Sequence, residues 1–407
     1  MDDREQRSRL LRGRRGALTR LGTPAAAVAR SQLSQTTRVA LACSLIAAAT
    51  ALSAALTTVS VADWNITALV RMAEEQPLAR VARESDPSFA FVDYDGRGDG
   101  VYYYAIARDP LALGDEHELF ELSAYRYGHP GYSWAASVLS AGEARLIPYV
   151  FLLLNLGGIA VAAGAASLIS RELGHSPWSG LLVALNPGLV YATTIDTNEP
   201  VSAALLALVL LGWLRGAWTL ALPVLAALCF MKEWFVLVPL ALAAWELLGW
   251  RQAGRRVLVR TVATAATVVP FGLWYLYVIV HFDGWPAAPA GDLLQFPLSG
   301  WIQTARLGAD WGMQSFDRVV VGHTTVPLLV VVGVAFGLGI ARALRLRSPL
   351  DPVYLVFMPV VFGLNSYNLL YTKDLIRTLA IPLALLPAVM VDSRRWRERV
   401  REEGPVQ

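Results

Sequence analysis

Apolar runs long enough to cross a bilayer recur through most of this chain, and that recurrence limits the kind of fold it can adopt. A spanning helix needs about 20 largely apolar residues. Admitting shorter runs where a helix is broken, ten candidate spans lie near 39–62, 146–170, 177–194, 200–214, 217–231, 233–249, 260–281, 323–341, 352–371 and 375–391. Asn186–Pro187 interrupts the third, and the fourth and fifth are short. The expected fold is all-α, a polytopic membrane protein of about ten transmembrane helices. With 55% hydrophobic residues and a mean hydropathy of +0.45, the chain lies well outside the soluble globular class. Cys43 and Cys229 both fall inside apolar runs, which removes a disulfide framework and a Cys-based metal site. Only Lys232 and Lys373 among the 35 basic residues are lysines, a skew expected of a GC-rich bacterial genome.

Charge orients the spans, because Lys and Arg favour cytoplasmic loops. Nine arginines precede the first span and "RRWRERVR" follows the last. Placing both termini in the cytoplasm puts 23 of the 35 Lys+Arg residues inside and 22 of the 32 Asp+Glu residues outside. The first span, at about 24 residues, exceeds the roughly 7–15 of a secretory h-region, so it is expected to be an uncleaved anchor in the plasma membrane. Three parts follow: a disordered basic segment over 1–38, a transmembrane domain over 39–391 and a cytoplasmic basic tail over 392–407. Two large extracytoplasmic loops interrupt the domain, at 63–145 and 282–322. In the first, apolar and aromatic residues mix with charge, the pattern of helices lying on the membrane surface.

This orientation gathers the unusual polar residues on the outer face. In "DYDGRGDGVYYYAIARDP" (93–110), Asp93, Asp95 and Asp99 are candidates for a general base or a divalent-cation site. From Val101 the pattern turns helical, which puts Asp99 near a helix start. "IDTNEP" (195–200) brings Glu199 to the end of a span. "MKEW" (231–234) sets Lys232 and Glu233 between two apolar runs, where charge is costly unless paired or facing a cavity. "YTKDLIR" (371–377) places Lys373 and Arg377 four apart, on one helical face, as suits a lipid-linked phosphate. Plainer roles exist for each. Asp99 can cap its helix, Lys232 and Glu233 can satisfy each other, Lys373 and Arg377 can snorkel, and Trp285, Trp301 and Trp311 can be belt anchors.

"GDGVYYYAIARDP", "YRYGHPGYSWAASVLSAG", "NPGLVYATTIDTNEP" and "FMKEWFVLVPLAL" together resemble the bacterial GT-C-type integral-membrane proteins of cell-surface glycopolymer formation. The likeness runs from Asp93 to Leu242, with a looser match at "KDLIRTLAIPLALL". Val101 replaces the family's Gln after D-G, and His129 replaces the second Arg of its Y-R-x-x-R. The resemblance implies a polytopic helical fold that takes sugar from a polyprenyl-phosphate carrier on the outer face, with inversion, and gives it to a cell-surface glycan or lipid-linked acceptor. It implies Asp99 as the catalytic carboxylate, with Asp95 as a second candidate. Glu199, Lys232, Glu233 and Arg377 fall on its other matching positions. With Tyr103, Arg126, His129 and Lys373 they make up the candidate substrate- and phosphate-binding set. No cofactor is required, since side-chain cations can stabilise the phosphate; a Mg or Mn ion would draw on Asp93 and Asp95. The implied partners are the polyprenyl-phosphate-linked sugar, its acceptor and membrane lipid, with no nucleic acid. A transporter or flippase, or a non-catalytic subunit handling a lipid-linked sugar, would use the same cations. Transporters often show paired repeats, and no such repeat is found.

Overall fold

The computed structural model describes residues 24–93, 98–248, 254–286, 294–311 and 316–390, with Ser393 and Glu398. These residues are predominantly helical and form no strand, only two isolated bridges. Four helices are long and apolar enough to cross a membrane, Gln35–Ser60, Ile147–Glu172, Val257–His281 and Thr324–Ala343. Shorter apolar helices occupy Glu199–Leu214, Trp218–Cys229, Leu350–Gly363 and Ala380–Met390. Length and composition mark a membrane-embedded helical chain. The remaining predicted runs are helical but broken.

The N-terminal helix α1 (Pro24–Ser60) starts well inside the segment expected to be disordered. Its "PAAAVA" opening explains the extension, since Pro suits the first helical turn and Ala has the highest helix propensity.

The first loop carries its own helices, α2 (Leu78–Ser85), α3 (Gly100–Arg108), α4 (Ser123–Tyr127) and α5 (Gly131–Leu139). Helix α2 is amphipathic, burying Leu78, Ala79 and Ala82 while Arg80 and Glu84 stay exposed. The tryptophans of the second loop separate. Trp285 is exposed, whereas Trp301 is buried and donates its indole N–H to the Val361 carbonyl at 2.9 Å, so it anchors the bundle rather than a membrane belt. The side chain of Trp311 lies outside the described residues. The helix Phe316–Ala343 also takes in residues 316–322, which the sequence assigned to that loop.

At the centre, α6 (Ile147–Glu172) packs along both α1 and α8 (Glu199–Leu214). Small residues permit this approach, as is usual where packing rather than hydrophobicity drives helices together in lipid. A methyl group on Gly158 would lie 2.7 Å from the backbone of Pro200. Across the other contact, the Ser44 hydroxyl donates to the Ala160 carbonyl at 2.8 Å.

The break at Asn186–Pro187 has a structural job. Pro187 opens α7 (Pro187–Thr193), and the Asn186 side-chain oxygen accepts from the N–H groups of Gly188 and Leu189 at 3.0 and 3.3 Å. Its amide donates to the Ala380 carbonyl at 3.0 Å, tying the break to the first residue of α10 (Ala380–Met390). Gly188 meets the Ile376 carbonyl of α9 (Thr372–Thr378) so closely that no side chain fits. The broken segment therefore fixes α9, the helix that carries Arg377.

Candidate functional site

Asp99 stands immediately before α3, in the N-cap position. Gly100 lets the helix start there: an added Cβ would come within 2.7 Å of both the Ile195 and Val70 carbonyls. A carboxylate in that position usually accepts from the N–H groups two or three residues on. Asp99 makes no such bond, because its oxygens are engaged elsewhere. Arg126 of α4 donates an Nη1 hydrogen to Oδ1 at 3.3 Å, and Arg377 of α9 donates one to Oδ2 at 2.8 Å. Three separate parts of the sequence thus meet at one carboxylate.

The three side chains are shielded but not sealed, with relative exposures of 34% for Asp99, 22% for Arg126 and 15% for Arg377. Burial alone would raise the Asp99 pKa. The guanidiniums of Arg377 and Arg126 outweigh it and hold the carboxyl well below the usual carboxylate range. Conversely, burial would lower the Arg126 pKa, and Asp99 raises it instead. The Tyr102 ring centre lies 3.8 Å from the Arg126 guanidinium carbon, a close cation–π contact. Each arginine gives Asp99 a single nitrogen, and the Nε atoms of both are buried without a hydrogen-bond partner.

Lys232 and Glu233 lie beside this triad. The Lys232 ammonium sits 4.2 Å from the Trp234 ring centre and acts electrostatically on both Asp99 and His129. His129 is buried against Tyr125, with Nδ1 3.6 Å from a Glu233 oxygen. Burial, reinforced by Lys232 and Arg126, pushes its pKa down to about 3. His129 is therefore neutral at physiological pH and supplies no charge to a phosphate, unlike the arginine it replaces in the resembling motif. Tyr103 is buried edge-on to Tyr132, with ring centres 5.3 Å apart, and its phenol senses both Glu199 and Asp99.

Glu199 and Lys232 line one small cleft. Asn198 and Trp234 join them there, while Phe357, Val361, Leu364 and Ile381 form apolar walls. Asp99 and Lys373 are not among its lining residues. A second, mainly apolar pocket is also lined by Ile381, with Ala384, Leu385 and Ala388 of α10. Ile381 of α10 thus lines both spaces.

The remaining candidates lie apart. Lys373 and Arg377 share α9, but Arg377 turns inward while Lys373 is exposed, its ammonium 6.0 Å from the Tyr371 ring. Asp93 is exposed, and Asp95 lies outside the described residues. Among the described residues no group of three His, Cys, Asp or Glu side chains is placed to hold a metal ion.

One residue, Arg71, carries no sequence signal, and Asp196 reads in the sequence only as a polar residue at the end of a span. Arg71, in left-handed conformation at φ 58°, accepts the Gly98 N–H at its carbonyl at 3.1 Å. Its buried Nε has no partner, and with Arg377 and Asp99 it acts on the Tyr191 phenol. Nothing in "ITALVRM" distinguishes that arginine. Asp196 is fully buried at φ 48° with both oxygens lacking a hydrogen-bond partner. Burial pushes its carboxyl well above the usual carboxylate range. "IDTNEP" advertises polarity but not depth.

No family model matches this chain, and no curated protein matches it. What the site does has to follow from its chemistry. It offers a carboxylate in contact with two arginines, with a lysine and a buried glutamate nearby that line a largely apolar cleft. That combination suits an amphiphile with an anionic head.

Proposed function

We propose that the chain is a ten-span, GT-C-type glycosyltransferase of the bacterial plasma membrane, with both termini cytoplasmic and its site at the extracytoplasmic boundary. The observation that carries this reading is the meeting of Asp99, Arg126 and Arg377 beside the Glu199–Lys232 cleft. Three chemical needs match three features. A sugar acceptor needs a base, a departing phosphate needs cations, and a polyprenyl tail needs an apolar path.

In the proposed reaction the acceptor hydroxyl attacks the anomeric carbon of a sugar joined to polyprenyl phosphate. Its oxygen–carbon bond forms as the bond from that carbon to the phosphate oxygen breaks, with inversion. The hydroxyl proton passes to the Asp99 carboxylate. The electron pair leaves on the phosphate, where Arg377, Arg126 and Lys232 stabilise it. Mg or Mn has no assigned role in this scheme.

Reconstitution tests it. In liposomes containing polyprenyl-phosphate-linked sugars from a bacterial envelope, the protein is expected to release polyprenyl phosphate and glycosylate an acceptor, both read by mass spectrometry. Movement of the intact lipid-linked sugar between leaflets, with no cleavage, would instead identify a flippase.

A further inference from the structure

A base with a strongly acidic conjugate acid is a poor one, since efficient proton transfer needs a pKa nearer the working pH. Asp99 is held in that unfavourable state by Arg126 and Arg377, the groups best suited to a phosphate. The two roles conflict as long as all three side chains remain paired.

Their geometry resolves the conflict. Each guanidinium has five N–H donors in a planar fork that fits phosphate oxygens two at a time. Here each gives Asp99 one nitrogen, at 3.3 and 2.8 Å, and both Nε groups are buried with no acceptor. Buried polar groups without partners are uncommon in folded proteins. A carboxylate offers two oxygens, and each already serves a different arginine. A phosphate offers more oxygens and more charge, so it can satisfy donors that Asp99 leaves unmet. The Tyr102 ring, its centre 3.8 Å from the Arg126 guanidinium carbon, gives that fork a second contact besides Asp99.

We infer that Asp99 is a built-in counter-anion in a phosphate site: a phosphoryl ligand binds by taking Arg126 and Arg377 from it, and the carboxylate becomes an effective base only after that exchange. With its arginines drawn to the ligand, Asp99 regains an ordinary or higher proton affinity where the acceptor hydroxyl must be deprotonated. Substrate binding thus switches the base on, and a site without donor holds it off. The exchange stands on the geometry alone, while the base activation rests on the glycosyltransferase reading.

The test is binding rather than turnover, so its failure is separable from a failure of that reading. Phosphate affinity is measured for the full-length protein in nanodiscs, with inorganic phosphate in one arm and polyprenyl phosphate in the other. Asp99→Asn removes the competing charge and is expected to tighten binding at least tenfold. Arg377→Gln in the same background is expected to abolish the gain. Tightening in both arms means that the headgroup suffices; tightening with polyprenyl phosphate alone means that the lipid must anchor it. Unchanged or weaker binding in both arms overturns the exchange. Should Asp99→Asn be unstable because two arginines lose their counter-charge, phosphate is expected to raise its melting temperature more than that of the wild type. An equal or smaller rise, or none, also overturns the proposal.

Discussion

Asp99→Asn is expected to lower glycosyl transfer by roughly 10²–10⁴-fold, the usual contribution of a positioned general base. The amide keeps the shape of the carboxylate but cannot accept the proton. Membrane insertion and overall helix content should stay unchanged, as checked by circular dichroism of the purified variant, so that a loss of rate is not a loss of fold. Full activity would move the base elsewhere. The pH behaviour of the wild type has a definite sign. Because the folded-state pKa of Asp99 is depressed, its pairing stabilises fully above the unfolded carboxylate value of about 3.9. That contribution fades only as the pH falls through the lower folded value. His129, held near 3, adds no charge change at neutral pH. Between pH 5 and 8 Asp99 should leave stability unchanged, whereas His129, neutral in the fold but protonated below about 6.5 once unfolded, should make stability fall as the pH drops through that value.

Arg377→Lys is expected to reduce transfer by about a hundredfold, comparable with losing one donor to a developing anion. Lysine keeps the charge but loses the planar fork, so it cannot grip two phosphate oxygens at once after leaving Asp99. The exposed neighbour gives an internal comparison. Lys373 lies on the same helix but points outward, so Lys373→Gln should change the rate severalfold at most. Parallel single-turnover measurements on the two variants read this difference. Equal losses would mean that α9 acts through its total charge rather than through the placement of Arg377.

The membrane-embedded helical class was legible from hydropathy alone, and a helix beginning beside Asp99 from the change of period after Val101. Less legible was which polar residues face inward. Lys373 and Arg377 have the same charge and ideal helical spacing, yet only Arg377 meets Asp99. What separates them is the close seat of Gly188 on the Ile376 carbonyl, a contact between segments far apart in sequence. His129 looked like a candidate phosphate ligand because its position matches an arginine in the resembling family. Its neutrality comes from burial beside two cations, which no local pattern encodes. Arg71 gave no signal, for it follows an ordinary apolar turn and meets Gly98 and the Tyr191 phenol only through the folding of the first loop. Asp196 was visible as a polar residue, but complete burial without a partner depends on helices that close over it. The ten-span count met a similar limit, since broken helices such as Asn186–Pro187 divide apolar runs into pieces shorter than a bilayer.

The most direct test of the central claim is a structure of the protein in nanodiscs with polyprenyl phosphate bound. The account predicts phosphate density against Arg126 and Arg377, with the Asp99 carboxylate released from them and the isoprenoid chain lying along α10 past Ile381. Phosphate bound instead among the arginines of the terminal segments, with the Asp99 pairs intact, would contradict it.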